Sequence, residues 1–174
     1  MSPGDGGGGA VVWFTGLPSS GKSTLARAVQ ARLREISRPA CLLDGDEVRD
    51  CLRPPPGYDA AGRDAFYESL ARLAALLAGQ GLLVLAPATA HRRAYVERAR
   101  RLAPAFLEVF VDTPLEECER RDAKGLYARA RRGEIPHFPG VGEPFEAPEA
   151  PDFTVTPSSF EDALDRLPAK LRSL

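Results

Sequence analysis

The sequence predicts a single doubly wound α/β domain, a parallel sheet with helices on both faces. Short apolar runs alternate with helical patterns along the chain. The apolar runs are continuous, as strands buried on both faces require. A length of 174 residues fits one domain of ordinary size and leaves no room for a second.

The elements can be read in order. The first strand is Ala10-Val11-Val12-Trp13-Phe14-Thr15. Gly16 to Gly21 is a loop, and Lys22 to about Ile36 is a helix with Leu25, Val29, Leu33 and Ile36 on one side. Ala40 to Leu43 gives a second strand ending at Asp44-Gly45-Asp46, followed by a rigid Pro54 to Gly57 connection. A long helix is expected from near Gly62 to Ala78, closed by Gly79 or Gly81. Leu82 to Ala86 is the third strand, Arg93 to Leu102 a helix, and Leu107 to Val111 the fourth strand. Thr113-Pro114-Leu115-Glu116 has the form of a capping box with proline at the first helical position. A short strand at Phe153-Thr154-Val155 precedes a final helix, Phe160 to Leu171, led by Ser158 and Ser159. Residues 1–9 read as a disordered Gly-rich leader, and 10–174 as the folded domain. Asp122 to Asp152 has little periodicity, and its aromatic residues and basic cluster mark it as a lid.

Composition narrows the function. A formal charge of −1 with 44% apolar and 27% charged residues is that of an ordinary globular protein, and it argues against nucleic-acid binding. No apolar run is long enough to span a bilayer, and no signal peptide is recognisable, so a cytoplasmic location is expected. Three scattered cysteines, Cys41, Cys51 and Cys118, suggest reduced thiols and no zinc site. A homodimer is compatible with all of this.

Gly16-Leu17-Pro18-Ser19-Ser20-Gly21-Lys22-Ser23 matches the phosphate-binding loop G-x-x-x-x-G-K-[ST] at every fixed position, between a strand and a helix. Its backbone N–H groups and the helix start, including Thr24, face a polyanion. Lys22, at the loop edge, reaches the β- and γ-phosphates, and Ser23 is the expected Mg²⁺ ligand. No N-K-x-D motif is present, which disfavours a GTPase, and no acid ends the third strand, which disfavours an ATP-driven machine. Asp44 and Asp46 lie at the edge of the sheet where ligands bind, placed to orient an acceptor hydroxyl, take its proton or hold metal-bound water. The pattern is that of an ATP- and Mg²⁺-dependent kinase, with Lys22, Asp44 and Asp46 as catalytic candidates.

Several segments resemble the adenylylsulfate kinase family. They are Trp13 to Leu17, Leu43 to Arg49, Phe110 to Glu116, Cys118-Glu119, Arg121-Asp122, Lys124 to Tyr127, Ala130-Arg131, Gly133 to Ile135 and Glu146 to Glu149. The resemblance covers about Val12 to Pro157. It implies transfer of the ATP γ-phosphoryl group to the 3′-hydroxyl of adenylyl sulfate. It also implies that Arg121 lies by the ATP base and that Arg49 and Arg63 hold the acceptor phosphosulfate, with Arg93 kept from a further family run. Phe138 would stack on the acceptor adenine opposite Tyr58 or Phe66. The acceptor side departs from the family pattern at Phe66, Glu68, Ser69, Ala90, His91, Pro136 and His137. Two alternatives therefore stay open: a kinase of the same family with another hydroxyl acceptor, and a nucleotide-binding regulatory protein without turnover.

Overall fold

The computed structural model describes residues 8–172. The elements are β1 (Ala10–Thr15), α1 (Lys22–Glu35), β2 (Ala40–Leu42), α2 (Gly45–Cys51), α3 (Ala60–Gly79), β3 (Leu83–Pro87), α4 (Arg93–Leu102), β4 (Phe106–Val111), α5 (Leu115–Arg121), α6 (Leu126–Arg131), β5 (Phe153–Val155) and α7 (Phe160–Leu171). The strands form one parallel sheet in the order β2-β3-β1-β4-β5.

Strand alternation divides the core into two layers. Val12 and Phe14 of β1 face one way, onto Leu25, Val29 and Leu33 of α1 and Leu167 and Leu171 of α7. Val11 and Trp13 face the other way, onto Leu70 and Ala74 of α3 and Tyr95 and Val96 of α4. A continuous apolar β1 is needed because both its faces are covered. A third, smaller cluster joins Cys118 of α5 to Tyr127 and Ala130 of α6 and to Phe138 beyond it.

Several sequence expectations need correction. The expected leader lies outside the described residues except for Gly8 and Gly9. Gly9 is buried, and a Cβ there would meet the Ala78 carbonyl oxygen at 1.8 Å, so packed chain begins before Ala10. The second strand ends at Leu42, and Asp44 begins a helix that was not expected. Asp44 caps α2, a helix that sequence periodicity over so short a span does not reveal: its carboxylate accepts from the Asp46 N–H at 3.1 Å. The capping box at Thr113 does not form, and Pro114 rather than Thr113 is the capping residue of α5. The Thr113 hydroxyl instead donates to the Ser20 carbonyl of the phosphate-binding loop at 2.9 Å. The segment from Asp122 to Asp152 is more ordered than its composition suggests. It contains α6, and a tight turn in which the N–H groups of Val141, Gly142 and Glu143 all donate to the Phe138 carbonyl.

Candidate active site

β1 delivers the chain directly into the phosphate-binding loop at the C-terminal edge of the sheet, and α1 leaves from it. Gly16 has no alternative, because a Cβ there would lie 2.6 Å from the Val111 carbonyl oxygen and 2.8 Å from Ser20 Oγ. Gly21 starts α1 from a left-handed conformation, φ 103°. Outside groups tether the loop's carbonyls. Tyr127 Oη donates to Pro18 O at 2.9 Å, and Arg121 Nη1 joins Thr113 on Ser20 O at 3.1 Å. Engaging these oxygens from Thr113, α5 and α6 fixes the peptide planes, whose N–H groups point the opposite way.

Lys22 is not at an exposed loop edge. Only 9% of it is accessible, and its Nζ donates to the Leu17 carbonyl at 2.8 Å. Loss of water around the ammonium pulls its pKa down to about 8, with Asp46, Cys118 and Asp44 opposing that shift. A buried cation without an anionic partner at hydrogen-bond distance is poised to receive a triphosphate.

Lys22, Ser23, Thr24, Asp44 and Asp46 line one cleft of about 650 Å³ together with Arg49, Tyr58, Arg63, Phe66, Arg121 and Phe138. The residues expected on the ATP side and those expected on the acceptor side therefore share a single space. Pro18, Ser19 and Gly21 also border it, while Gly16, Leu17 and Ser20 shape the loop from behind. Asp44 is buried, and its carboxylate is divided between the α2 cap and Arg27, 3.2 Å away. Asp46 is exposed and pairs with Lys124 Nζ at 2.5 Å. The two carboxylates thus have different surroundings: Asp44 is held by the α2 cap and Arg27, and Asp46 by the partly exposed Lys124.

On the acceptor side the Arg49 guanidinium lies over both expected aromatic platforms, 3.9 Å from the Phe66 ring centre and 4.5 Å from that of Tyr58. Phe66 is buried under it, and Tyr58 is the exposed ring. Arg63 Nε donates to the Tyr58 carbonyl at 2.7 Å, and its Nη2 donates to the His137 carbonyl at 2.8 Å. One arginine of α3 therefore positions both the Tyr58 loop and the residue before Phe138. Phe138 packs edge-on against Tyr127, with ring centres 5.0 Å apart.

Arg93 is not brought to this cleft. It pairs with Glu146 and Glu149 and borders a separate cavity beside Glu108 and Arg100. Residue patterns also gave no warning of Arg27, of Tyr127 as a loop tether, or of Glu143. Their roles depend on contacts between segments 17 to 109 residues apart.

A phosphate-binding loop at the C-terminal edge of a parallel sheet, with a carboxylate pair and residues of the segment after α5 lining the same cleft, defines a P-loop kinase. The comparisons with known proteins narrow the class. The family model for adenylylsulphate kinase matches residues 8–156. The chain is 47% identical over 170 residues to the adenylyl-sulfate kinase of Paraburkholderia xenovorans, covering 94% of this chain and 93% of that one. It is also 47% identical to the bifunctional enzyme CysN/CysC of Mycobacterium tuberculosis, of which it spans 25%. The solved structure of the Mycobacterium tuberculosis APS kinase CysC in complex with AMPPNP and APS superposes with a TM-score of 0.89 at 42% identity, over 96% of this chain and 99% of that chain. The chain belongs to the adenylylsulfate kinase family.

Proposed function

We propose that this protein transfers the γ-phosphoryl group of ATP to the 3′-hydroxyl of adenylyl sulfate, giving ADP and 3′-phosphoadenylyl sulfate. The observation that carries this reading is that Lys22, Asp44, Asp46, Arg49, Arg63 and Phe138 all border one cleft. The phosphate loop and Lys22 hold the β- and γ-phosphates at one end. The acceptor adenine lies against Phe138 at the other end, opposite the exposed ring of Tyr58, with Arg49 and Arg63 at its phosphosulfate. The acceptor oxygen attacks the γ-phosphorus, the bond to the bridging oxygen of ADP breaks, and the hydroxyl proton passes to the carboxylate pair. Holding both reactants in one cleft supplies much of the rate, and excluding water from it keeps water from competing for the phosphoryl group.

The donor set fits Mg²⁺. Ser23, Asp44 and Asp46 offer hard oxygen ligands on the cleft wall, and Mg²⁺ takes few protein ligands beside phosphate oxygens and water. When bound it would neutralise charge on the β- and γ-phosphates. Among the described residues no helix is long and apolar enough to cross a membrane, and the use of ATP is consistent with a cytoplasmic location, as monomer or homodimer.

ADP release measured with ATP, Mg²⁺ and a panel of acceptors tests the proposal. Turnover is expected with adenylyl sulfate; turnover only with another hydroxyl compound would favour the same-family alternative. Phe138→Ala is expected to raise the Michaelis constant for adenylyl sulfate about tenfold, within the range of one lost aromatic–base stack. The constant for ATP should stay within twofold. Equal rises in both would show that Phe138 only supports the fold of the lid.

A further inference from the structure

Glu143 lies outside the cleft, and phosphoryl transfer as described gives it no task. It nevertheless stands where the lid meets the body of the protein. Its backbone closes the turn begun by Phe138, through Glu143 N–H to Phe138 O at 3.1 Å and Gly140 N–H to Glu143 O at 2.8 Å. Its side chain turns to the loop between β3 and α4. Oε1 accepts from Arg92 Nη2 at 3.1 Å and lies 3.5 Å from Nε2 of the buried His91, while Oε2 lies 3.4 Å from Nδ1 of His137. One carboxylate therefore joins three cationic or imidazole groups, two on the body and one on the lid.

The electrostatics support an ionised Glu143. The hydrogen bond from Arg92 holds its carboxyl below the usual range, with both histidines adding to the effect. Burial, reinforced by the Arg63 charge, lowers the pKa of His91. A neutral His91 can place its single N–H at Nε2, facing Glu143. Its Nδ1, which is buried with no partner, is then a bare acceptor and not a stranded donor. The same turn is held from the cleft side by Arg63 on the His137 carbonyl. His137 itself has φ 56°, the left-handed region that a non-glycine residue enters only when its surroundings hold it there.

We propose that Glu143 is a positioning residue: a carboxylate latch that pins the lid turn carrying Phe138 onto His91 and Arg92, and so sets the affinity for the acceptor. The consequence for the acceptor rests on the function proposed above; the latch itself does not. Without it the turn would lose its attachment to the body, its internal hydrogen bonds to the Phe138 carbonyl would open more often, and Phe138 would face the cleft for a smaller fraction of the time.

The test compares wild type with Glu143→Gln, Glu143→Ala and Arg92→Ala. Amide hydrogen exchange is measured at Val141, Gly142 and Glu143 in the substrate-free proteins, and both Michaelis constants are measured at saturating partner. Exchange is expected to quicken in the order wild type, Glu143→Gln, Glu143→Ala, by about tenfold at the end of the series. The constant for adenylyl sulfate should rise about fivefold in Glu143→Ala, with that for ATP within twofold. Arg92→Ala should reproduce part of the effect and add little to Glu143→Ala. Unchanged exchange in Glu143→Ala would overturn the latch. Faster exchange with equal rises in both constants would also overturn it, since that is the mark of general loosening. If wild type turns over no adenylyl sulfate, the functional reading fails, and the exchange series still decides the latch.

Discussion

Lys22→Ala is expected to lower turnover by about a thousandfold or more, equivalent to ~4 kcal/mol of transition-state stabilisation, while the protein stays folded. Among the described residues, the ammonium at the base of the phosphate loop has no anionic partner within hydrogen-bond reach. Its one hydrogen bond, to Leu17 O, is weak compensation for burial. Its favourable interaction comes only when phosphate charge arrives, and most of all when that charge shifts during transfer. Near-normal turnover in the variant would remove the phosphate-loop argument.

The same burial has a consequence for stability. In the unfolded chain Lys22 titrates at its ordinary pKa of 10.5, and in the folded protein at about 8. Below pH 8 both states carry the proton, and the full cost of burying the charge, on the order of 3 kcal/mol, weighs on the folded state. Between pH 8 and 10.5 the unfolded chain binds more protons, so wild-type stability rises with pH. Lys22→Met should therefore be more stable than wild type at pH 7 without nucleotide, and the gap should close as the pH approaches 10.5. Thermal or urea unfolding across that range checks it. A gap that does not change with pH would mean that Lys22 is well solvated, and one that widens would mean that its anionic neighbours outweigh its burial.

Asp44→Asn and Asp46→Asn are each expected to reduce kcat by about a hundredfold, in the range for loss of a general base or a charged orienting group. ATP affinity should fall much less than kcat, because most of the ATP contacts belong to the phosphate loop and Lys22. The two should differ in a second readout. Asn at position 44 can still cap α2 through its carbonyl but loses the charge facing Arg27, so Asp44→Asn should lower the melting temperature modestly. Asp46 is exposed and, among the described residues, its carboxylate pairs only with Lys124, so Asp46→Asn should leave stability nearly unchanged. If ATP binding falls and kcat does not, the pair is not placed at the acceptor hydroxyl.

Much of this molecule is legible in the chain. Continuous apolar runs give the strands of a doubly covered sheet, and the 3.6-residue spacing of Leu25, Val29 and Leu33 gives α1. The phosphate loop is written in contiguous residues because a single turn of backbone, between one strand and one helix, makes that site. Position at the sheet edge marked Asp44 and Asp46, family resemblance added Arg49, Arg63 and Phe138, and all five line one cleft. What periodicity misreads is local and short. The helix that begins after Asp44 is not foreseen, because seven residues are too few to show its spacing. Thr113 looks like a cap because nothing in Thr-Pro-Leu-Glu reveals that a carbonyl 93 residues earlier takes its hydroxyl.

The sequence by itself determined the sheet, the phosphate loop and the class of chemistry, since each rests on side chains close together in the chain or on a repeating period. Only the tertiary structure decided the state of individual groups. It buries Lys22 and lowers its pKa, and it divides the roles of Asp44 and Asp46 by giving one to Arg27 and the other to Lys124. It turns Arg93 away from the cleft to Glu146 and Glu149, and it collects His91, Arg92 and His137 around Glu143. Burial and charge pairing are sums over neighbours drawn from distant segments, and those neighbours exist only once the sheet has closed.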